Sequence, residues 1–306
     1  MSPSALWKRV RRNFDASRFL ESEHRFYVKM LYEYMTRLSL ACTESGISAE
    51  RYCDHEIIVS LTSYGRRILD VPVAIESIMQ GSVKPNRIVL WLAEDEFRSK
   101  SLPVMLQKQQ DRGLEVAFCK DTRSYKKLIP SLKKYPDATI ITVDDDVIYE
   151  ADFLENLLLS YKEHPDCIAA YRTGRIVLTS GKGAVGFTIE RGSPQDGTSF
   201  ANYFTGIGGV LYPAHCLSDE IFNEDVYLTL MNDDNWFYAM ALLKGTKTTR
   251  CNGRNLNGCN FVDLPEWKET PLQAFNGKMR RDGIRENDAQ LKAVFDRYNL
   301  WDKLRV

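Results

Sequence analysis

The sequence predicts an α/β fold, in which a mostly parallel central sheet is flanked by helices and preceded by a helical arm. From residue 56 onward, short apolar runs alternate with amphipathic segments of helical period. This alternation is typical of a parallel sheet with helices on both faces. The chain has 306 residues, of which 44% are hydrophobic and 27% charged, which is enough for one large domain or two modest ones.

Residues 1–55 are predicted to form the helical arm, because apolar residues recur there at helical spacing. These residues are Phe26, Met30, Leu31, Tyr34 and Leu38. The arm opens with the basic and aromatic run Trp7–Arg12. Two interpretations of that run stay open: contact with an anionic membrane surface, or a solvated helix face, which is the more common use of such charge.

Alternating elements follow the arm. The predicted strands are residues 56–62, 87–92, 114–119, 138–143 and 168–171, and the predicted helices are 71–80, 101–112, 124–135, 151–164 and 287–298. A glycine-rich, polar stretch from about 173 to 200 is predicted to be a mobile loop or lid.

Polar residues gather where the predicted strands end. The four tips are Thr62–Arg67, Glu94–Glu96, Lys120–Lys127 and Asp144–Asp146. Open α/β sheets bind ligands at the carboxyl ends of their strands. Any one tip is explained equally well by a turn, but four that combine cations, hydroxyls and carboxylates favour a phosphorylated ligand with a bridging metal.

The three consecutive aspartates Asp144, Asp145 and Asp146 are the most informative of these tips. Adjacent carboxylates repel one another and are costly to bury unless a divalent cation or a ring of donors neutralises them. The triad therefore predicts a metal site, and the alternative is a solvated acidic turn.

Several segments together resemble one family. They are Val59–Arg66, Ala74–Gln80, Arg87–Trp91 and Ser124–Pro130, followed by the aspartate triad. In order and spacing they resemble the nucleotide-sugar glycosyltransferases of GT-A fold, particularly the family 2-like enzymes of bacterial surface-polysaccharide assembly (capsule or lipopolysaccharide), and the triad stands where that family carries its DxD motif. The resemblance runs from about Ile57 to Leu243.

The resemblance implies a GT-A catalytic domain over residues 56–250, with a nucleotide-sugar half (56–150) and an acceptor half (151–250), and a C-terminal extension of loop and helix over 251–306. It implies Mn²⁺ or Mg²⁺ held by Asp146 and Asp144, and a donor that is most commonly a UDP-sugar. The implied donor-binding residues are Thr62, Ser63, Tyr64, Arg66, Glu94, Asp121, Asp144, Asp145, Gly208 and Gly209.

Three cations and two glycines have alternative explanations. Arg123, Lys126 and Lys127 are candidate phosphate partners as cationic donors, although a solvated helix start would also account for each. Gly208 and Gly209 would permit close approach of the backbone to donor or acceptor, and tight strand packing explains them equally well.

A second acidic pair, Asp233 and Asp234, precedes an apolar helix. One aspartate there is explained as a helix N-cap, but two are not. Similar inverting transferases place an acidic pair at this helix start. The resemblance therefore implies that Asp234 is the general base for the acceptor hydroxyl and that Asp233 orients acceptor or donor, with the reverse assignment open.

Charge and cysteine content bear on the expected partners and location of the protein. Lys+Arg and Asp+Glu both number 41, so nucleic acid is not expected as a partner. The seven cysteines lack Cys-x-x-Cys spacing, and no spanning segment or signal peptide is evident, which predicts a cytoplasmic protein, with peripheral contact at the inner membrane face left open. His215 is interpreted as structural, and no histidine follows it. Several retaining families of GT-A fold use a late histidine as a metal ligand, so the resemblance implies an inverting reaction.

Other functions compete with saccharide transfer. A haloacid-dehalogenase-like phosphatase also uses Asp-x-Asp after a strand, but its motif normally ends the first strand and carries Thr or Val where this chain has Ile148. A nucleotidyltransferase would need a longer glycine-rich loop after the first strand. A non-catalytic scaffold that binds nucleotide or glycan is the third alternative.

Overall fold

The structure is a computed structural model that describes residues 23–99, 101–180, 185–191, 197–251, 261–264, 278–281 and 284–305. The basic run Trp7–Arg12 lies outside the described residues, as do residues 252–260 and 265–277 of the predicted C-terminal extension.

The predicted α/β architecture is confirmed: a large, mostly parallel central sheet is flanked by helices. The strands of the described chain are β1 (Ile57–Thr62), β2 (Arg87–Ala93), β3 (Leu114–Cys119), β4 (Thr139–Thr142), β5 (Val147–Tyr149), β6 (Ile168–Ala170), β7 (Thr173–Ser180), β8 (Val185–Arg191), β9 (Thr198–Ser199), β10 (Asn202–Phe204), β11 (Val210–Tyr212), β12 (Thr248–Arg250) and β13 (Phe261–Asp263). The central sheet has the order β3-β2-β1-β4-β11-β6-β12-β9. β11 and β9 run antiparallel to their neighbours. β1 to β4 are parallel to one another, so their carboxyl ends lie at one common edge.

Helices cover both faces of this sheet. Within the described residues they are α1 (23–41), α2 (Val71–Met79), α3 (Glu94–Phe97), α4 (Val104–Gln110), α5 (Ile129–Lys134), α6 (Phe153–Glu163), α7 (Glu224–Tyr227), α8 (Asp233–Lys244) and α9 (Glu286–Tyr298). The helix predicted over 124–135 is interrupted at Leu128, with a 3₁₀ turn over Arg123–Lys127 before α5. Pro130 explains the break, because proline lacks an N–H and clashes with the carbonyl four residues earlier.

The sheet is buried on both faces, and alternate residues of each strand enter different halves of the core. Ile58 of β1 and Ile140 of β4 lie in the half that packs against α8 and α9. Val59 and Ile141 lie in the half that packs against α2 and α6. Side chains of a strand alternate between faces, and a strand buried on both faces reads as a continuous apolar run.

The prediction of a mobile loop over 173–200 is wrong for the described residues. β7 and β8 form an antiparallel hairpin, to which β10 adds a third strand. Alternate apolar residues of the hairpin, Ile176, Leu178, Phe187 and Ile189, pack on the core half that contains α8. This two-residue period indicates a half-buried strand, and the surrounding glycines and polar residues had obscured it.

The apolar residues that predicted the helix α1 are not, for the most part, the ones that pack on the domain. Val28 packs with Val73 of α2, Ile148 of β5 and Leu264, and the neighbouring contacts come from Leu31, Tyr32 and Met35. Phe26, Met30 and Tyr34 are instead exposed. Among the helices in the described part of the chain, none combines the length and apolar character needed to cross a bilayer.

The segment after α1 is fixed by a buried ion pair. Arg112 donates to Glu76 at 2.7 Å, and both side chains are almost fully buried. Arg112 also donates through Nε to the Glu44 carbonyl at 2.7 Å, and Gly46 N–H donates to the Arg112 carbonyl at 2.9 Å. A buried pair keeps its charges only with such additional hydrogen bonds, so the chain after α1 is held against α2 and α4.

Candidate functional site

A chain of buried hydroxyls places Lys127 at the carboxyl edge of the sheet. Ser60 of β1 donates to the Lys127 carbonyl at 2.7 Å and lies 2.8 Å from the Ser131 hydroxyl. Trp91 of β2 donates its indole N–H to the same Ser131 oxygen at 2.7 Å. Buried polar groups persist when their hydrogen bonds are made, so the 3₁₀ turn that carries Lys127 is tied to two neighbouring strands.

The Lys127 ammonium joins the two acidic segments. Its Nζ lies 3.1 Å from Asp233 Oδ2 and 3.7 Å from Asp144 Oδ1, and only 10% of the side chain is exposed. Burial disfavours the ammonium, but the carboxylates of Asp233, Asp144 and Asp234 outweigh that cost and raise the pKa of Lys127 well above its ordinary value. Two segments that are far apart in sequence thus meet in one acidic cluster, formed by Asp144, Asp233 and Asp234 around Lys127.

Asp234 lies in this cluster without serving as a helix cap. The N-cap of α8 is Asn232, whose side chain accepts from Asp234 N–H at 2.9 Å. The Asp234 carboxylate accepts instead from Gly206 N–H at 2.8 Å. Burial and the neighbouring charge of Asp233 raise the pKa of Asp234 to about 7. The predicted explanation of one aspartate as an N-cap is therefore wrong, and neither carboxylate is used for capping.

The helix α9 supports the start of α8 from the other side. Asn235 donates to the Asn287 carbonyl at 3.0 Å, and Asn232 donates to the Asn287 side chain. Gln290 accepts from Met231 N–H at 2.7 Å. The position of the second acidic pair is therefore set by a helix from the far end of the described chain.

The members of the aspartate triad have different environments. Asp145 is buried and accepts from Ser63 at 2.7 Å and from Arg67 at 2.8 Å. Arg67 also lies 3.0 Å from Asp146, whose side chain is 32% exposed. Asp145 is thus buried and hydrogen-bonded in the wall of the site, whereas the side chains of Asp144 and Asp146 are partly exposed.

Two of these carboxylates suit a divalent cation. No group of three His, Cys, Asp or Glu side chains converges as a ligand set in the part of the chain that the structure describes. Mg²⁺ sites nevertheless commonly use one or two carboxylates together with substrate phosphates. Burial raises the pKa of Asp144 to about 6, and its neighbours Asp146 and Asp145 add to the rise in spite of Lys127. A cation beside Asp144 and Asp146 would relieve this unfavourable charge.

Sequence reasoning missed two residues of the site, Arg67 and Gly206. Arg66, the arginine predicted for the site, is exposed. The adjacent Arg67 is directed to the triad by the 3₁₀ turn Gly65–Leu69. A Cβ at Gly206 would lie 2.6 Å from Lys127 Nζ and 3.0 Å from Asp234 Oδ1. Arg67 is the last residue of the predicted tip Thr62–Arg67, and Gly206 precedes Gly208 by two residues. No other sequence signal pointed to either residue.

Thr62, Tyr64 and Glu94, from the first two tips, have partners other than the triad. Thr62 donates to the Trp91 carbonyl at 2.8 Å. Tyr64 is exposed, and the Arg67 guanidinium lies 5.1 Å from its ring centroid. Glu94 pairs with Arg98 one helical turn away at 3.4 Å. Tyr64 is therefore exposed beside Arg67, the arginine that pairs with Asp145 and Asp146.

The third tip divides between two sites. Lys127 enters the acidic cluster, but Lys126 forms an ion pair with Asp121, which also accepts from Arg123 N–H at 3.0 Å. The Arg123 guanidinium donates to the Leu228 carbonyl. The structure thus places one of the three predicted cations with the triad and gives the other two local partners.

Gly208 and Gly209 lie in closely packed positions. Both have left-handed backbones, with φ of +83° and +102°, and a Cβ would meet Phe261 at 2.5 Å at the first position and Phe153 at 2.5 Å at the second. Glycine is the residue that adopts such φ angles without a steric penalty. These contacts support close packing, the second of the two explanations considered, and contact of either glycine with donor or acceptor stays a prediction.

Replacing Gly206 with alanine is expected to displace the Lys127 ammonium and to destabilise the protein by about 1–3 kcal/mol, as overpacked sites do. We also expect any reaction that uses the Asp234 carboxylate to slow, because Asp234 loses its fixed position. Denaturant unfolding and turnover assays measure the two effects.

The matched control for this variant is Gly245→Ala. A Cβ at Gly245 meets open space, but its φ of +92° strains any other residue. We expect this control to lose stability and to keep its turnover. Equal turnover in the Gly206 variant and wild type would contradict a positioning role for Gly206.

Comparison with known proteins gives likenesses of structure only. No family model matches the sequence, and no curated protein matches it significantly. Solved structures that resemble it include the mannosyltransferase PcManGT from Pyrobaculum calidifontis in complex with GDP-Man and Mn²⁺, with 12% identity and a TM-score of 0.31 over 49% of this chain. A second is S. aureus TarS, with 14% identity and a TM-score of 0.45 over 68% of this chain. A third is the UTP-bound UGPase from Acinetobacter baumannii, with 8% identity and a TM-score of 0.38 over 69% of this chain.

These likenesses leave the activity to be inferred from the site itself. The matches span 44% of PcManGT and 60% of TarS, and they span 88% of the UGPase. With TM-scores from 0.31 to 0.45, none of them assigns a substrate or a reaction to this chain.

Proposed function

We propose that this chain is a metal-dependent, inverting glycosyltransferase that moves a hexose from a nucleotide-sugar, such as a UDP-sugar, to a saccharide or glycolipid acceptor. Residues 56–250 are the proposed catalytic unit. The roles follow the two acidic segments: Asp144 and Asp146 at the donor diphosphate, and Asp234 and Asp233 at the acceptor hydroxyl.

The observation that carries this proposal is the placement of Lys127 between Asp144 and Asp233, at 3.7 and 3.1 Å. Transfer of a sugar needs a group that accommodates a charged leaving diphosphate and a base for the acceptor, both within reach of the anomeric carbon. Lys127 brings a partly exposed carboxylate at the end of β4 next to the carboxylates at the start of α8, which supports such an arrangement.

In the proposed step, the acceptor hydroxyl oxygen forms a bond to the anomeric carbon while the bond from that carbon to the diphosphate oxygen breaks. The proton of the hydroxyl passes to Asp234, whose pKa of about 7 suits a general base at neutral pH. Gly206 N–H holds the carboxylate in place at 2.8 Å. Asp233 keeps Lys127 in the cluster, and the electron pair leaves with the diphosphate.

Asp144 and Asp146 would hold the divalent cation. Mn²⁺ or Mg²⁺ stabilises the negative charge that develops on a leaving diphosphate. Asp145 and Arg67 do not need to contact the donor for this role, because their mutual hydrogen bond holds the loop that carries Asp144 and Asp146. Tyr64, exposed beside Arg67, is a proposed stacking surface for the nucleobase.

The double variant Asp144→Ala/Asp146→Ala is expected to lose metal-dependent nucleotide binding. Isothermal titration of the full chain with UDP, GDP and CMP, each with and without Mn²⁺, measures this. We expect one nucleotide to bind wild type only with Mn²⁺, and affinity in the variant to fall by about 100-fold or more, since carboxylate ligands of a bridging ion are removed.

The control is Asp111→Ala/Asp137→Ala, which removes two exposed carboxylates and should bind like wild type. Thermal unfolding establishes that both variants fold. Nucleotide binding that persists in the Asp144/Asp146 variant would contradict the metal site. An absence of nucleotide binding by wild type would contradict the transferase proposal, and phosphatase assays would then test the competing reaction.

A further inference from the structure

The helix α1 has two opposite apolar faces, and the structure uses one of them for packing. Val28, with its neighbours Leu31, Tyr32 and Met35, covers Val73, Ile148 and Leu264. Tyr32 also donates to Asp70. These contacts fix α1 to the domain and thereby fix the direction in which its other face points.

The second face is aromatic and exposed. Phe26 is 67%, Tyr27 48%, Met30 51% and Tyr34 56% exposed. Phe26, Met30 and Tyr34 are spaced by four residues and so lie one above another along the helix. Single exposed apolar residues are ordinary, but a contiguous apolar patch marks an interaction surface.

The charge of this part of the chain selects the kind of partner. Residues 1–41 contain eight Lys and Arg against four Asp and Glu, although the whole chain has 41 of each. Lys29 and Arg37, on α1 itself, are exposed. Large apolar side chains combined with cations are the composition of helices that lie in the interface of an anionic bilayer.

We propose that the exposed face of α1, formed by Phe26, Tyr27, Met30 and Tyr34, docks on the surface of an anionic lipid bilayer. Two other occupants are disfavoured by charge. α1 carries Arg25, Lys29 and Arg37 against Glu23 and Glu33. A second copy of α1, or the basic residues 1–22 of the same chain, would therefore add to an existing positive excess, and like charges oppose association.

Docking in this way would place α1 between the bilayer and β5, the strand that follows the triad. α1 packs on Ile148, two residues after Asp146, and Leu264 donates its N–H to the Asp146 carbonyl at 2.9 Å. The inference goes beyond the proposed function, because sugar transfer to a free saccharide would not require it. Lipid binding is also measured without donor or acceptor, so its failure is separable from failure of the transferase proposal.

Vesicle flotation of the full chain tests the proposal, with phosphatidylcholine vesicles compared with vesicles that also contain phosphatidylglycerol. We expect wild type to float with the anionic vesicles and to be released by added salt. The variant Phe26→Ser/Met30→Ser/Tyr34→Ser should lose at least about ten-fold in vesicle affinity, since three apolar side chains no longer enter the interface.

The matched control is Val104→Ser/Leu159→Ser/Met279→Ser, which removes three apolar side chains that are 59%, 52% and 64% exposed elsewhere on the surface. This control should bind like wild type. Circular dichroism verifies that both variants fold.

Three results would overturn the proposal: equal binding by wild type and the α1 variant, equal binding to neutral and anionic vesicles, or a matching loss in the control. Sedimentation velocity without lipid tests the alternative occupant. A dimer that the α1 variant disrupts, with no vesicle binding by wild type, would assign the face to a second copy instead.

Discussion

Replacing Asp234 with asparagine is expected to lower the rate of sugar transfer by about 10²- to 10⁴-fold, the usual contribution of a general base. Asparagine keeps the shape of the side chain and can still accept from Gly206 N–H, which donates to Asp234 at 2.8 Å. Nucleotide affinity should therefore stay within about two-fold of wild type. Release of nucleoside diphosphate at saturating donor measures the rate, and calorimetry measures the affinity.

Asp233→Asn is the matched control for this variant, because it alters the adjacent carboxylate. If Asp233 is the base, the larger loss will occur in that variant and the assignment of the two residues will be reversed. A transfer rate in Asp234→Asn equal to that of wild type would contradict a base at this position.

The same substitution is expected to stabilise the protein at alkaline pH. The pKa of Asp234 is about 7 in the folded chain and 3.8 for an ordinary aspartate, so the folded state binds the proton more tightly and loses stability as pH rises from about 4 to 7. The asparagine side chain does not titrate in this range. We expect Asp234→Asn to gain about 2 kcal/mol over wild type at pH 8 and little at pH 4, measured by denaturant unfolding.

Replacing Lys127 with methionine is expected to destabilise the folded protein by about 3–5 kcal/mol, the usual result of removing one partner of a buried ion pair. The ammonium is the cation within 4 Å of Asp233 and Asp144 among the described ion pairs. Without it, carboxylates with little exposure are left facing one another. Urea unfolding at pH 7.5 measures the loss.

A double variant separates this charge effect from lost packing. Lys127→Met/Asp233→Asn removes both partners of the 3.1 Å pair, and we expect it to recover at least about 1 kcal/mol relative to Lys127→Met alone. Additive losses from the two substitutions would indicate that the pair has no net coupling.

The strand pattern was predictable because burial on both faces leaves a strong signal in sequence. β1 to β4 were placed within one or two residues, since their apolar runs are bounded by turns. The hairpin of β7 and β8 was missed because glycines and polar residues surround a short alternating pattern. For α1, helical period alone could not say which of two apolar faces packs, because that choice depends on the distant Val73 and Ile148.

The site was predictable as a set of segments but not as a set of contacts. The aspartate triad and the pair at α8 were evident in the sequence, because adjacent carboxylates repel one another and indicate a site that compensates their charge. That Lys127, rather than Lys126 or Arg123, would join them depends on hydrogen bonds from Ser60 to the turn that carries it. Arg66 was predicted instead of Arg67, because the position of each arginine within the 3₁₀ turn decides which of the two faces the triad.

The hydrogen bonds from α9 to the start of α8 have a consequence for the order in which the parts of the site form during synthesis. Asn287 and Gln290 hold the segment that contains Asp233 and Asp234, and 52 residues separate Asn235 from Asn287. Chains fold progressively from the N-terminus during synthesis. A nascent chain on the ribosome therefore carries strands β1 to β4 and the aspartate triad well before α9 emerges to complete the support of Asp234.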